Sequence, residues 1–203
     1  TYRQKAAKLF YENGDREASG DELLALGRFY QEDHRDQEAF QAYLVADNKY
    51  ESSDRANRAR ARIQALQSLF RHAELDDRGV PEIPGPGWTQ KIRQLGFGGL
   101  TDWLRKSAEL LQQARRSSGR QLALFMLGAY QLQQGALGES LRSLQKAGGI
   151  RNGSSVYKGA IFRALGAAYE ANGSIRNAEA AYQQALQAFA DQDQAALSGR
   201  MAV

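Results

Sequence analysis

The sequence contains no cysteine among its 203 residues. Disulfides, thiolate zinc sites and a cysteine nucleophile are therefore excluded. Its two histidines, His34 and His72, lie far apart and belong to no spaced ligand set, so we expect no metal site and no cofactor. No apolar run approaches the roughly 18 to 20 residues that span a bilayer, so we expect no membrane span in this chain.

β-Branched residues are also scarce, with Val, Ile and Thr supplying only 13 positions. Strands favour such residues because they pack well on a pleated surface. Alanine, with 32 residues, and glutamine, with 20, are abundant instead, and both are good helix formers. The sequence therefore predicts an all-α fold.

The charge balance is small. Lys and Arg exceed Asp and Glu by four, which is too little to indicate a nucleic-acid partner by itself. Charged residues make up 25% and hydrophobic residues 42%, a composition that is typical of a folded soluble chain.

One irregular stretch divides the chain. All three prolines lie within 76–87 beside three glycines, and because proline removes a backbone donor the sequence predicts a loop there. We expect N-terminal helices over 1–75, an irregular connection over 76–100 and C-terminal helices over 101–203. The individual helices are predicted at 1–13, 21–33, 36–47, 54–74, 101–116, 120–134, 137–147, 155–172 and 175–190, with a short segment at 88–95 and a frayed helical cap over the last dozen residues.

Three stretches share small residues at the same spacing. In each, a Leu-Gly pair is followed nineteen residues later by an alanine. These pairs are Gly27 and Ala46, Gly128 and Ala147, and Gly166 and Ala185. Small side chains let two antiparallel helices pack closely, so we predict that these residues lie where helices cross. Gly135 and Gly173 then supply the positive φ of the tight turn between the helices, where the first stretch has His34.

This pattern resembles the tetratricopeptide repeat (TPR), a helix–turn–helix unit of about 34 residues. A Sel1-like repeat is a close relative whose longer loops suit the irregular spacing. The third stretch matches almost every defining position, whereas the second has Gln131 and Ser140 where Tyr and Ala are usual. The resemblance covers 20–48 and 120–190, and it implies one continuous α-solenoid of antiparallel helix pairs, a TPR-like superhelix with an irregular Pro/Gly-rich middle segment.

The resemblance also implies a function. Similar proteins hold an extended segment or a helix of a partner in a concave groove, which the first helix of each pair lines. We therefore expect a non-catalytic protein–protein interaction scaffold, not an enzyme, whose partner is another protein or peptide segment and which is compatible with a larger assembly. The groove positions of the family fall on Leu24, Arg28, Gln31, Glu32, Phe125, Ala129, Leu132, Gln133, Arg163, Ala167 and Glu170.

One subset of the family grips a C-terminal carboxylate with Lys and Asn at fixed groove positions. Here those positions hold Leu24 and Arg28 in the first stretch, and Phe125 and Ala129 in the second. The clamp is absent, which argues against an adaptor for chaperone tails.

Two other functions stay open as alternatives. Trp88 and Trp103 flank a glycine-rich stretch and would suit sugar stacking in a helical accessory domain of a polysaccharide-handling enzyme, unless both simply cover the core. A nucleic-acid adaptor, which the low net charge disfavours, would use Arg55, Arg58 and Arg62, which share one helical face that is otherwise an ordinary solvated surface.

Composition gives a weak indication of origin. Few β-branched residues, no cysteine and many Ala, Gln and Arg favour a bacterial chain. Bacterial proteins similar to this one serve in envelope assembly, secretion or polysaccharide export, so the periplasm is favoured over the cytoplasm. The chain begins at Thr1 and its first helix resembles the second half of a repeat, so we expect a fragment of a longer array.

Overall fold

The computed structural model describes residues 1–83 and 86–201. Within these ranges the chain forms ten α-helices, one short hairpin and one 3₁₀ turn at Ser155–Tyr157. The helices are α1 (Tyr2–Glu12), α2 (Arg16–Glu32), α3 (Asp36–Lys49), α4 (Arg55–His72), α5 (Pro86–Gln94), α6 (Leu100–Gln113), α7 (Ser117–Gln133), α8 (Leu137–Gly148), α9 (Lys158–Ala171) and α10 (Ile175–Met201). The hairpin strands are β1 (Glu74–Leu75) and β2 (Pro81–Glu82).

The helices stack as antiparallel pairs, which confirms the predicted all-α solenoid. We call α2, α4, α7 and α9 the A helices, and α1, α3, α6, α8 and α10 the B helices. Each B helix packs against the A helices next to it, while α7 also contacts α4 and α9. We call the surface of the A-helix row that faces away from the B helices the inner face. Helix α5 stands outside this alternation and packs against α3 and α6.

The glycines of the repeat lie at crossings within helix pairs, as predicted. A Cβ atom added to Gly128 would lie 2.5 Å from the side chain of Leu144, and one added to Gly166 would lie 2.5 Å from the ring of Tyr182. Gly27 is pressed against Tyr43 in the same way. The paired alanines are buried too, with exposures of 0% for Ala46, 0% for Ala147 and 3% for Ala185.

A second row of glycine contacts was not predicted. Gly20 faces the ring of Tyr50, and Gly159 faces the ring of Phe189, with each ring 2.5 Å from the position of an added Cβ. Both pairs are separated by thirty residues in the sequence. An A helix therefore meets its B helix at two points about two turns apart.

The turns between A and B helices take the predicted conformation. Gly135 and Gly173 have φ values of 74° and 72°. His34 occupies the same left-handed region with φ at 56°, although it carries a side chain. The first repeat therefore keeps the turn geometry without its glycine.

Several predicted boundaries were wrong. Helix α2 begins at Arg16, where Asp15 caps it, and not near residue 21. Helix α6 begins at Leu100, with Gly99 as its N-cap, and α7 begins at Ser117, three residues before its predicted start. Helix α10 continues without a break to Met201, in the segment predicted as a frayed helical cap, whose residues 202–203 lie outside the described residues. In α1 only Ala7 is buried, because α2 alone packs closely on that helix.

The predicted loop over 76–87 contains regular structure. The β1 and β2 strands pair antiparallel, with Glu74 opposite Glu82. The carboxylate of Asp76 accepts hydrogen bonds from the backbone N–H groups of Arg78 and Val80, which closes the turn. Helix α5 begins at Pro86, a first-turn position where the missing N–H has no helical partner to lose.

Candidate functional site

The inner face carries the eleven residues predicted to line a groove, but much of it is closed. Five of these side chains are buried: Leu24, Phe125, Ala129, Leu132 and Ala167, with exposures between 0% and 7%. The groove prediction is wrong for them, since a buried side chain offers no surface to a partner. Gln31 and Arg163 are half-buried, and Arg28, Glu32, Gln133 and Glu170 are exposed.

The hairpin covers part of this face. Strand β2 packs against α7, and the flanking Val80 and Ile83 are 3% and 2% exposed. The backbone N–H of Ile83 donates to Oε1 of Gln133 at 3.2 Å, and Nε2 of Gln133 donates to the carbonyl oxygen of Ile83 at 3.4 Å. A predicted groove residue of α7 therefore binds the chain's own hairpin as it would bind a peptide backbone.

The turn of the hairpin reaches α9. Gly79 has φ at 71°, and a Cβ atom added there would lie 2.5 Å from Nη1 of Arg163. The guanidinium of Arg163 also lies over the ring of Phe189, 5.4 Å from its centroid. A second predicted groove residue is thus engaged by the hairpin.

A second segment covers the face from the other side. Tyr157, in the turn before α9, meets the ring of Phe70 edge-on at 5.6 Å between centroids, and its burial raises the pKa of the Tyr157 hydroxyl. Phe70 lies on α4 and also packs against Phe125 of α7, at 6.0 Å. Segments of the same chain therefore cover part of the inner face from α4 to α9, beside an open cavity of about 420 Å³ between α4, α7 and Tyr157.

The arginine cluster of α4 is an internal ion pair. Nε of Arg62 lies 2.6 Å from Oδ2 of Asp47 on α3, and both side chains are only 3% exposed. Arg58 contacts the other oxygen of Asp47 at 3.0 Å, and Arg62 also donates to the hydroxyl of Ser107 on α6 at 3.1 Å. This cluster is unavailable to phosphates, and the solvated-surface alternative is wrong for it too, since only Arg55 is exposed.

Both tryptophans belong to the core. Trp88 is 3% exposed and lies 4.4 Å from the ring of Phe40 and 5.1 Å from that of His72, measured between centroids. Trp103 is fully buried against the edge of Phe40. Neither ring is available to stack on a sugar, so the alternative that they cover the core holds.

An open groove of about 400 Å³ lies on the opposite side of the solenoid, between the B helices α1 and α3. We call it the outer groove. Its floor is the A helix α2, which contributes Ser19, Leu23, Leu26 and Tyr30. Its walls and rim are formed by Gln4, Ala7, Lys8 and Tyr11 of α1, Glu38, Gln41, Ala42, Val45 and Lys49 of α3, and Lys91 of α5.

The chain repeats this groove between α6 and α8, over α7, with a volume of about 380 Å³. Each of its twelve lining residues lies 101 positions after a lining residue of the outer groove. Two of the pairs are Leu23 with Leu124, and Gln41 with Arg142. The two grooves therefore occupy equivalent positions in the repeat architecture. Their separation of 101 residues equals the separation between Gly27 and Gly128.

The two grooves differ in residue type at eight of the twelve equivalent positions, and four of these differences remove apolar character. Apolar or aromatic residues of the outer groove are replaced by polar ones in the α6–α8 groove: Tyr11 by Gln112, Tyr30 by Gln131, Ala42 by Ser143 and Val45 by Lys146. In the second groove the hydroxyl of Ser143 donates to Oε1 of Gln131 at 2.7 Å. The α6–α8 groove is therefore lined mainly by polar side chains, whereas the outer groove leaves an apolar recess.

The rim of the outer groove is cationic. Its three lysines include Lys8, whose ammonium lies 3.6 Å from the carboxylate of Glu12 on the same helix. Lys8, Lys49 and Lys91 share the groove lining with one carboxylate, that of Glu38. That carboxylate accepts a hydrogen bond from Arg35 at 2.7 Å, and this bond lowers the pKa of Glu38. Across the described ranges, no carboxylate lies within 4.0 Å of the Lys49 or Lys91 ammonium, although Lys49 lies over the ring of Tyr11 at 3.3 Å. The rim therefore favours a negatively charged occupant.

No group of three or more His, Asp or Glu side chains in the described ranges is arranged to hold a metal ion. In the same ranges, no helix combines the length and hydrophobicity needed to cross a membrane.

The sequence matches no protein-family model and no curated protein. Solved structures share the fold: the crystal structure of BtubC (BKLC) from P. vanneervenii has a TM-score of 0.62 at 15% identity, over 88% of this chain and 66% of that one. The TPR-like MamA has a TM-score of 0.52 at 16% identity, over 93% of this chain and 96% of that one. This chain therefore spans about two thirds of BtubC, and at these identities the likeness establishes a helical-repeat fold.

Proposed function

We propose that this chain is a non-catalytic scaffold of the TPR type that binds another protein in its outer groove. The observation that carries the proposal is the contrast between two equivalent grooves, one lined mainly by polar side chains and the other mainly by apolar ones. An apolar recess with a charged rim is the usual composition of a recognition surface. Selection for solubility alone would favour polar residues at both places.

The inner face supports a lesser role. TPR-type proteins use this face for partners, but here Val80, Ile83 and Tyr157 lie where a partner segment would lie. The exposed positions that remain, such as Arg28 and Glu32, form an edge without an apolar recess. We therefore move the proposed partner site from the predicted concave groove to the outer groove.

The cellular setting is also part of the proposal. Composition favours a bacterial chain, and the resemblance to TPR-type proteins suggests envelope assembly, secretion or polysaccharide export, with the periplasm as the compartment. The fold is compatible with each of these roles because a scaffold supplies surfaces and needs no reactive group.

Site-directed photo-crosslinking in cells of the source organism tests the proposal. A benzophenone amino acid replaces Gln41 in the outer groove, and in a matched control it replaces Arg142, the equivalent residue of the α6–α8 groove. A third variant carries it at Arg28 on the inner face. We expect the Gln41 variant alone to form a discrete crosslinked species with another protein, identified by mass spectrometry.

Two results would contradict the proposal. Crosslinks of equal yield from the Gln41 and Arg142 variants would show that the outer groove is not special. A discrete product from Arg28 with none from Gln41 would return the partner site to the inner face.

A further inference from the structure

Helix α5 shows what kind of element fits between two B helices. It packs against both α3 and α6, which flank the A helix α4. Trp88 and Ile92 anchor it, with exposures of 3% and 0%. These two residues are four positions apart, so they project from the same face of a helix. Helix α5 is therefore a short helix that packs on two B helices through two large apolar side chains.

The contacts of Trp88 show how such an anchor inserts. Its ring lies against Phe40 on a B helix and against His72 at the end of an A helix. The anchor thus fills the angle between a B-helix wall and the A-helix floor. The outer groove offers the same kinds of surface, with Ala42 and Val45 on the wall and Leu23 on the floor.

The outer groove also adjoins α5 directly. Lys91, one turn from Trp88 on α5, forms part of its rim. An occupant of the outer groove would therefore lie alongside α3 on the opposite side from the α5 anchors. Its volume of about 400 Å³ accommodates side chains and not a whole helix, so an occupant would insert its apolar anchors and keep its backbone outside.

Charge then selects among helices. The rim presents three lysines, and the sequence of α5 itself contains Lys91 and Arg93 but no acidic residue. The rim lysines would repel a basic helix, whereas they would attract glutamates or aspartates on the flanks of a helix.

We propose that the outer groove binds an amphipathic helix of another protein, which inserts two large apolar side chains four residues apart and places acidic residues against Lys8, Lys49 and Lys91. This inference rests on the proposed function, because it names the partner chemistry of the same groove. It makes the site a helix-in-groove receptor on the B-helix side of the repeat.

Three synthetic helical peptides of about 16 residues test the inference against the full chain, since shorter helices are marginal in water. The first places Trp and Ile four residues apart on an Ala/Glu background, the second replaces each Glu by Lys, and the third replaces Trp and Ile by Ala. Fluorescence anisotropy measures binding. We expect the acidic peptide to bind, the basic one to bind at least about tenfold more weakly, and the third to show no binding.

Variants of the chain locate the site. Lys49→Glu combined with Lys91→Glu is expected to weaken the acidic peptide about tenfold and to strengthen the basic one. Ala42→Phe, which fills the recess, is expected to abolish binding, while the matched control Lys146→Glu in the α6–α8 groove leaves it unchanged. Thermal unfolding of each variant checks that the fold is retained, and the charge reversals on the rim keep the test decisive if Ala42→Phe does not fold.

Other outcomes overturn the inference in separable ways. Equal affinity for the acidic and basic peptides, or binding that Ala42→Phe leaves intact, contradicts the inference that the outer groove binds an acidic amphipathic helix. A crosslinked partner at Gln41 without any acidic-peptide binding does the same while leaving the proposed function standing. Self-association in sedimentation experiments that Ala42→Phe abolishes would make a second copy of the chain the occupant and would overturn it too.

Discussion

At the residue scale, the backbone of His34 shows how a repeat tolerates a missing glycine. A residue with a Cβ atom in the left-handed region costs about 1–2 kcal/mol relative to its right-handed form. His34 is exposed and has φ at 56°, so the turn accepts that cost in return for the same connection that Gly135 and Gly173 provide.

We expect His34→Gly to stabilise the chain by about 1 kcal/mol, because glycine removes the cost of the left-handed conformation. Thermal or urea unfolding measures the change. Asp33→Gly in the same turn is the control, since Asp33 has φ at −90° and glycine there only adds freedom to the unfolded chain. A His34→Gly variant that is less stable than the parent would contradict the assigned turn geometry.

The ion pair of Asp47 with Arg62 and Arg58 makes a second prediction. Removing one partner of a buried pair leaves an uncompensated charge, so we expect Asp47→Ala to cost about 3–5 kcal/mol of unfolding free energy. The exposed Asp33, which lies 3.8 Å from Arg35, provides the control, and its change to Ala is expected to cost less than about 1 kcal/mol. Similar losses in the two variants would show that Asp47 is solvated.

Tyr43 gives the stability a dependence on alkaline pH. Burial raises the pKa of its hydroxyl to about 12 from an ordinary value of 10.0. The unfolded chain therefore releases this proton first, so the contribution to stability is complete below pH 10 and falls as the pH rises toward 12. We expect Tyr43→Phe to make the loss of stability over this range shallower.

At neutral pH, removing the hydroxyl of Tyr43 and removing that of Tyr182 should have different effects on stability. The Tyr43 hydroxyl has no hydrogen-bond partner in the described part of the chain, so Tyr43→Phe should cost little at pH 7. The Tyr182 hydroxyl donates to Glu170 at 2.9 Å, and Tyr182→Phe should cost about 0.5–1.5 kcal/mol. Urea unfolding at pH 7 and between pH 10 and 12 measures these differences. If stability falls as steeply with pH in Tyr43→Phe as in the parent, the raised pKa does not belong to Tyr43.

At the element scale, the glycine crossings decide how closely A and B helices approach. We expect Gly166→Ala to cost about 1–3 kcal/mol, because the added methyl group would overlap the ring of Tyr182. Gly138 in α8 is the matched control: nothing lies within 4 Å of its added Cβ, so Gly138→Ala should stabilise the helix by about 0.5 kcal/mol. Equal effects of the two changes would mean that Gly166 is not at a crossing.

The sequence predicted those elements whose signals are local and repeated. The Gly–Ala spacing identified the helix pairs, and the helix predicted over 54–74 matches α4, which Asp54 caps. It did not predict the hairpin, whose strands contain only two residues each and depend on contacts with Gln133, fifty positions away. The role of Arg62 was missed for a similar reason, since its partner Asp47 lies on another helix.

The candidate site was predictable only in part. The family's groove positions fall on the A helices, but five of the eleven residues are buried there, because periodicity gives no information on what covers a face. The outer groove had a signal in the sequence, namely the separation of 101 residues between Gly27 and Gly128. Comparing residues at that separation pairs Tyr30 with Gln131 and Val45 with Lys146. The comparison shows that the first groove has apolar or aromatic residues where the second has polar ones.

At the scale of the whole molecule, segments of the chain cover much of the inner face of the solenoid, whereas its outer face stays open. The turn before α9 packs Tyr157 against the half-buried Phe70, which contacts Phe125, and the hairpin packs on α7. The exposed surface for recognition is then moved to the B helices, where the repeat leaves one apolar groove.

Thiol labelling tests this claim most directly, because the chain has no cysteine of its own. Single cysteines replace Gln41 in the outer groove and Ala129, which is 1% exposed beneath the inner face. We predict that Gln41→Cys reacts with a maleimide within about tenfold of the rate in the unfolded chain, and that Ala129→Cys reacts at least about a hundredfold more slowly, limited by local opening. Equal rates at the two positions, or faster labelling of Ala129→Cys, would show that the inner face is open and would contradict the account.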